Sequence, residues 1–173
     1  MNFYLGVTNN DRYDFLRQRK PEEVNFWQPG GNLAFKRLSR WEPFLFKLKS
    51  PRNLVGGLAF FSSHSFLPLS MAWLVFGEEN GCESSQRFQK MILDNRIEKN
   101  NPNPTIGCII LTNPIFFDQK NWLNVPIDWT PSIQQGKTYS TQTEIGNEYW
   151  QRVNFLIQKY LPAVPVEEKT NLF

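Results

Sequence analysis

The sequence predicts an α+β domain built on one strongly bent, mixed sheet with helices against it. Short strand patterns are interleaved with helix patterns, but without the regular strand–helix–strand repeat of a parallel fold. In the longest strand pattern, Gly56 and Gly57 indicate a bulge, a barrel-like bend or the close approach of another group. A chain of 173 residues, 40% of them hydrophobic, suffices for one core and is too short for two full domains.

Local patterns define the elements of the first half of the chain. Residues 2–8 are predicted to form a strand, and Asn10 or Asp11 is expected to cap a helix that ends at Pro21. Alternating apolar residues predict a strand at residues 43–50, and a second long strand at residues 53–66 follows the turn SPRN. These two strands are expected to pair as a hairpin.

The second half contains three helix patterns and one apolar strand. One helix is predicted from residue 68 to near Gly77 or Gly81. Another is predicted at residues 84–99, with an apolar stripe of Phe88, Met91, Ile92 and Ile97. Residues 105–117 predict a central strand that Pro114 should interrupt. A turn-rich segment precedes the last helix, whose stripe comprises Ile145, Tyr149, Trp150, Val153, Leu156, Ile157 and Tyr160. The domain is therefore expected to span residues 1–161, followed by a linker-like tail at residues 162–173.

Composition excludes several classes of function. The only histidine, His64, and the distant Cys82 and Cys108 cannot form a zinc site or an HNH nuclease centre, so no catalytic residue, metal or cofactor is predicted for this chain. No signal peptide and no apolar run long enough for a membrane span are found, which predicts a cytoplasmic protein. A net charge of +3 permits a polyanionic partner without requiring one.

Tryptophans in turn-rich segments are the main functional signal: Trp27, Trp41, Trp122 and Trp129. Each is expected either to pack beneath a loop or to stack on a planar ligand. The stretch NFWQPGGN places one of these indoles among amide side chains and glycines, the groups that hold a planar base and bind its edge.

Two sets of binding residues follow from this chemistry. In the base-binding set Trp27 would stack on the base, Asn25 and Gln28 would bind its edge, and Gly56 or Gly57 would allow close backbone approach. In the phosphate-binding set Lys137 acts with Gly136 and Gln135. Two basic clusters are predicted to be either solvated surface or phosphate contacts: Arg12, Arg17, Arg19 and Lys20, and Lys36, Arg37 and Arg40.

Six stretches also carry a resemblance: NFYLGVTNND, EVNFWQPGGN, PFLFKLKSPRNLVGGLAFF, LPLSMAWLVFGEENG, IGCIILTNPIFF and VPIDWTPSIQQGKTY. In this order, from about Asn2 to Tyr160, they resemble the N-terminal domain of restriction endonucleases whose C-terminal part is an HNH nuclease. That domain is similar to the PUA-like group, which includes SRA, EVE, YTH and ASCH domains.

The resemblance implies a bent barrel that reads a modified base in double-stranded DNA and targets an HNH nuclease, which this chain lacks. An RNA-binding PUA-like domain is the alternative, and a small ASCH-type hydrolase is a third; whether the protein counts as an enzyme is left open. Two residues depart from the family pattern. Arg12 replaces an aromatic residue, so that its cation would stack on a base, and Trp41 replaces a small turn residue.

Overall fold

The computed structural model describes residues 1–161, and the predicted tail at residues 162–173 lies outside the described residues. The strands are β1 (Asn2–Thr8), β2 (Glu23–Gln28), β3 (Pro43–Leu48), β4 (Leu54–Pro68), β5 (Thr105–Phe116), β6 (Leu123–Asn124) and β7 (Gly136–Ser140). The α-helices are α1 (Asn10–Arg19), α2 (Leu69–Phe76), α3 (Ser85–Asp94) and α4 (Glu144–Ile157). None of the helices in residues 1–161 has the length and apolar character needed to span a membrane.

All seven strands form one mixed, curved sheet. Its order is β2-β5-β4-β3-β1-β7, with β6 paired to β4, and β1 and β3 run parallel while the other pairs are antiparallel. Within the described residues β2 and β7 do not pair with each other, so the sheet is not closed. The predicted α+β class and the bent sheet are confirmed, and so is the β3–β4 hairpin.

Curvature is concentrated in the long strand β4, where the pairing register shifts three times. One shift against β5 lies between Leu58 and Phe60, close to Pro114, the predicted interruption of the ladder. Gly56 and Gly57 lie at the start of this strand, and they are needed for close packing. The Tyr13 hydroxyl donates a 2.6 Å hydrogen bond to the Gly56 carbonyl, and a side chain at Gly57 would collide with the Ile115 carbonyl. The group that closely approaches this backbone is therefore the protein itself.

Strand alternation divides the apolar side chains between the two faces of the sheet. On β2, Phe26 joins one aromatic cluster with Phe44, which α1 and the loop at residues 29–42 cover. Trp27 points into another cluster beneath α2 and α3. Helix α4 packs on the part of the sheet around Phe3.

Three local expectations were wrong. Trp27 was expected to lie in a turn-rich segment but belongs to strand β2, because the proline and glycines begin only at Pro29. The N-cap of α1 is Asn9, whose side chain accepts from the backbone N–H groups of Asp11 and Arg12. Helix α3 ends at Asp94, which leaves Ile97 outside the stripe and fully exposed.

Candidate nucleic-acid interface

Arg12 lies in the first turn of α1, and its side chain is turned inward with only 5% exposed. The guanidinium carbon lies 4.4 Å from the centroid of the Phe26 ring and 4.7 Å from that of Trp27. On another side the Arg12 side chain packs against Gly81. Any side chain at position 81 would collide with the Arg12 methylenes, and the φ of Gly81 is +93°. Glycine is therefore required at this position to admit the arginine.

The buried guanidinium is only partly bonded. Its Nη2 donates a 2.6 Å hydrogen bond to the Asn25 carbonyl, whereas its Nε has no partner. Among residues 1–161 no carboxylate forms an ion pair with it. Burial lowers the pKa of Arg12 to about 9, so the group remains charged at neutral pH. An unpaired buried charge costs several kcal/mol, and stacking on two rings offsets only about 2 kcal/mol of this.

Arg12 also lies in the wall of a surface cavity of about 360 Å³. We call it the Arg12 cavity; its other lining residues are Asp11, Phe15, Gly81, Cys82, Glu83, Arg87 and Met91. Two cations and two carboxylates line this space, so their charges balance. An apolar wall with both donors and acceptors suits the edge of a planar heterocycle better than a phosphate.

Asn25 and Trp27, two predicted base-binding residues, lie behind Arg12 and not in the cavity. Asn25 is fully buried and donates to the Asn80 side chain at 2.8 Å. Trp27 is 7% exposed, and its Nε1 donates to the Asn80 carbonyl at 2.9 Å while Phe88 packs against it. Of the two alternatives for this tryptophan, Trp27 therefore packs in a core and is not an exposed platform for a base. Nothing in the local sequence pattern marked Asn80, which holds both side chains.

Gln28 lies on the other face of β2 from Trp27 and does not line the Arg12 cavity. A side chain at Gly107 would lie 3.3 Å from both Gln28 Oε1 and His64 Nε2, so the two polar groups border the same small space. His64 Nε2 has no hydrogen-bond partner, and burial lowers the pKa of this imidazole. It is therefore neutral at pH 7.

The predicted phosphate-binding residues form a separate group on β7. Lys137 Nζ lies 2.7 Å from Asp128, and the Tyr139 hydroxyl donates to the same carboxylate at 2.9 Å. Burial raises the pKa of Asp128, but these two hydrogen bonds outweigh burial and lower it below its usual value. The Gln135 carbonyl accepts from the backbone of β1, and Gly136 gives room to Tyr4. The Lys137 ammonium is thus already bonded.

Two further features were missed from the sequence. Lys47 is buried on β3, with Nζ 3.1 Å from Asn53 Oδ1 and 5.4 Å from the centroid of the Trp129 ring, and burial lowers its pKa. An open groove of about 570 Å³ lies between α4 and residues 120–123, with Arg152 and Phe155 in its lining. Neither Lys47 nor Arg12 lines this groove.

One tryptophan is exposed at a turn. The Glu42 N–H donates to the Ser39 carbonyl at 3.0 Å, which places Arg40 and Trp41 at the centre of a turn that we call the Trp41 turn, residues 39–42. The Trp41 indole is 57% exposed, and the Arg40 guanidinium lies 5.1 Å from its centroid.

Solved structures with the same architecture include an ASCH protein and its variants. The ASCH protein of Zymomonas mobilis matches with a TM-score of 0.59 and 12% identity over 89% of this chain and 94% of that one. The chain has an ASCH-like, PUA-like fold. A Tyr-to-Phe variant of the Zymomonas mobilis protein gives a TM-score of 0.60 at 10% identity over 86% and 96% of the two chains. A Ser-to-Ala variant gives 0.55 at 9% identity over 87% and 95%.

At these identities the likeness establishes the fold alone. No family model matches the sequence, and neither does any curated protein. Within residues 1–161 no group of three or more histidine, cysteine or acidic side chains could hold a metal ion. The predicted PUA-like architecture is thus confirmed, and the link to an HNH nuclease remains a prediction.

Proposed function

We propose that this ASCH-like domain binds nucleic acid and reads a modified base of double-stranded DNA in the Arg12 cavity. One observation carries the proposal. The buried guanidinium of Arg12 has an unused donor and no carboxylate partner among the described residues, and it lies in the wall of a base-sized cavity. Because Nε is enclosed by the protein, a ligand acceptor in the cavity would bind the remaining free donor, Nη1, which has no hydrogen-bond partner among the described residues.

The lining of the cavity supports a base as the ligand. Arg12 and Arg87 offer donors to ring nitrogens or carbonyl oxygens, and Asp11 and Glu83 accept from exocyclic amino groups. The same carboxylates would repel a phosphate. A volume of about 360 Å³ is near the lower end of the usual range for ligand pockets, about 300–1,000 Å³. In this proposal a base substituent packs against the apolar wall formed by Phe15 and Met91.

The other predicted residues receive different roles. Asn25 and Trp27 hold Arg12 in place, because one accepts its hydrogen bond and the other stacks on it. Lys137 would have to exchange Asp128 for a phosphate in order to contact DNA. In line with the family resemblance, a separate HNH nuclease is the proposed partner that cuts the DNA. Base recognition is then the task of this domain.

The test compares fluorescent duplexes that differ only in one base: plain cytosine, methylated cytosine, hydroxymethylated cytosine, and adenine with and without a methyl group. We expect tighter binding to one modified duplex. Glu83→Gln should reduce this preference by about 5-fold to 100-fold, the usual worth of a base-edge contact, because it removes an acceptor charge at the rim. Glu148→Gln on α4, also exposed, is the matched control and should change nothing.

Equal binding to all duplexes, together with tighter binding to single-stranded RNA, would replace the DNA reader by the RNA-binding alternative. If the preference for a modified duplex persists in both Glu83→Gln and the cavity-filling variant Met91→Trp, the base does not bind in the Arg12 cavity. Absence of binding to every nucleic acid would overturn the proposal as a whole.

A hydrolase is the second candidate, and Lys47 is the observation that favours it. A buried lysine with a lowered pKa is a typical general base or nucleophile, and the ammonium of this one lies beside an amide and an indole. Hydrolysis of acylated nucleosides that disappears in Lys47→Met, while the melting curve is unchanged, would establish this activity.

A further inference from the structure

The Trp41 turn exposes a large apolar side chain at a position that does not suit it. Trp41 has φ of +73°, and Arg40 before it does not have a positive φ, which is the pattern of a type II turn. Glycine is the usual residue at this second central position, because it adopts a positive φ without steric cost. Strain of this kind persists mainly where a residue has a function.

The turn is held rigidly despite its exposure. The Trp41 N–H donates to the Phe61 carbonyl at 2.7 Å, and the Phe61 N–H donates to the Glu42 carbonyl at 2.9 Å, so the turn is bonded to β4 on both sides. The Glu42 carboxylate accepts from the backbone N–H groups of Ser39 at 2.8 Å and Asn2 at 2.9 Å. Because the carboxylate is occupied by backbone donors, it forms no ion pair with Arg40.

Three cations lie in the loop and turn that carry the indole, and one of them, Arg40, contacts its ring. Lys36, Arg37 and Arg40 are exposed, and within the described residues none of them lies within ion-pair distance of a carboxylate. The loop that carries them is anchored by the buried side chains of Phe35 and Leu38. Some exposed cations elsewhere are paired, as Lys90 is with Asp94, and others, such as Lys20 and Lys120, are not. Residues 36–42 thus carry three cations and one carboxylate, Glu42, so this anchored segment has a net positive charge.

We propose that the Trp41 turn binds single-stranded nucleic acid, with one base stacked on the Trp41 indole and phosphates held by Lys36, Arg37 and Arg40. A rigid flat ring beside uncompensated cations complements both parts of a nucleotide, the planar base and the charged backbone. The inference rests on the proposed function only in that the ligand is a nucleic acid. The turn precedes β3 and packs on β4, whereas the Arg12 cavity lies between α1 and α3, so the two contacts are separate.

Fluorescence anisotropy with a short, unmodified oligothymidylate and its RNA counterpart tests the inference. Trp41→Ala and Trp41→Leu should each weaken binding by about 5-fold to 100-fold, the usual effect of losing one stacked base, while Trp41→Phe should retain most of the affinity. A melting curve on each variant shows whether it is folded. The matched control is Phe155→Ala, which removes another exposed ring with a nearby cation, Lys159.

Several outcomes would overturn the inference: unchanged affinity in Trp41→Ala, an equal loss in Phe155→Ala, or wild-type affinity in Trp41→Leu. Binding to phosphatidylserine vesicles that depends on Trp41, without any effect on oligonucleotides, would make the surface a membrane contact instead. Failure of the base-reading proposal has a different signature. In that case Met91→Trp leaves discrimination among modified duplexes unchanged, whereas Trp41→Ala still weakens the single strand.

Discussion

Two arginine–tryptophan pairs of almost the same geometry lie in different parts of the molecule. The Arg12 guanidinium lies 4.7 Å from the Trp27 ring centroid, and the Arg40 guanidinium lies 5.1 Å from that of Trp41. The first pair is buried, and its indole donates to Asn80 while its guanidinium donates to Asn25. The second pair is open to solvent, and neither side chain of that pair has a hydrogen-bond partner among the described residues.

The comparison shows that a local sequence pattern does not distinguish a buried indole from an exposed one. Trp27 precedes a proline and two glycines and looks like a loop residue, yet it lies in a core. Trp41 has a comparable context and is exposed. The two indoles differ in burial and hydrogen bonding, and both properties depend on what packs against each ring.

The largest expected difference between the two pairs is in stability. Trp27→Ala should lower the free energy of unfolding by about 3–5 kcal/mol, because it opens a hole beneath α3 and leaves the Asn80 carbonyl unbonded. Trp41→Ala should change it by less than about 1 kcal/mol, as expected for a surface residue. Urea unfolding of both variants measures this contrast. Similar losses of stability in the two variants would contradict the expected contrast between the buried pair and the exposed pair.

Two replacements of Arg12 separate the contribution of its packing to stability from that of its charge. Arg12→Ala should cost more than about 2 kcal/mol, since it leaves a cavity next to Phe26 and an unbonded Asn25 carbonyl. Arg12→Met fills most of the volume without burying a charge, and it should cost at least about 1 kcal/mol less. Urea unfolding gives both values, and a methionine variant as unstable as the alanine variant would show that the guanidinium itself stabilises the fold.

Trp41→Gly tests the strain in the exposed pair. Glycine adopts the positive φ of this position freely, so the free energy of unfolding should rise by about 1 kcal/mol while binding to a single strand weakens. Thermal unfolding measures the expected gain in stability, and fluorescence anisotropy on the same preparation measures the expected loss of affinity. If Trp41→Gly is instead less stable than the wild type, the indole stabilises the fold by packing, and the positive φ of Trp41 does not strain the turn.

The smallest effect is expected at the Lys137–Asp128 pair, which is about one-third exposed. Lys137→Met should cost no more than about 1 kcal/mol at neutral pH. Because the pKa of Asp128 is lower in the folded state, its contribution is present above the ordinary value of 3.8 and is lost as pH falls through the folded value. The difference from wild type should therefore shrink in acid. The control is Lys120→Met, which removes an exposed lysine without an ion pair among the described residues and should show no such pH dependence. A Lys137→Met difference that is constant with pH would contradict this account.

The fold was largely predictable from the sequence, and the candidate site was predictable only in part. Periodicity located β1, α1, β4 and α2 within a few residues, because local alternation reflects which side chains are buried. β2 and β7 were missed, since both are short edge strands whose pairing depends on distant partners. Arg12 was recognised as unusual, but its inward direction depends on the space left by Gly81, which lies far away in sequence.

By itself the sequence determined the α+β class, the bent strand at the glycine pair and the inventory of aromatic and basic side chains. Only the tertiary structure decided which of these side chains are buried: Trp27 and Lys47 in cores, Trp41 exposed, and Arg12 in the wall of a cavity. The physical reason is that apolar periodicity is a property of one element, whereas burial of an indole or a charge depends on contacts between elements distant in sequence. Those contacts are made only when the sheet curves and the helices pack on it.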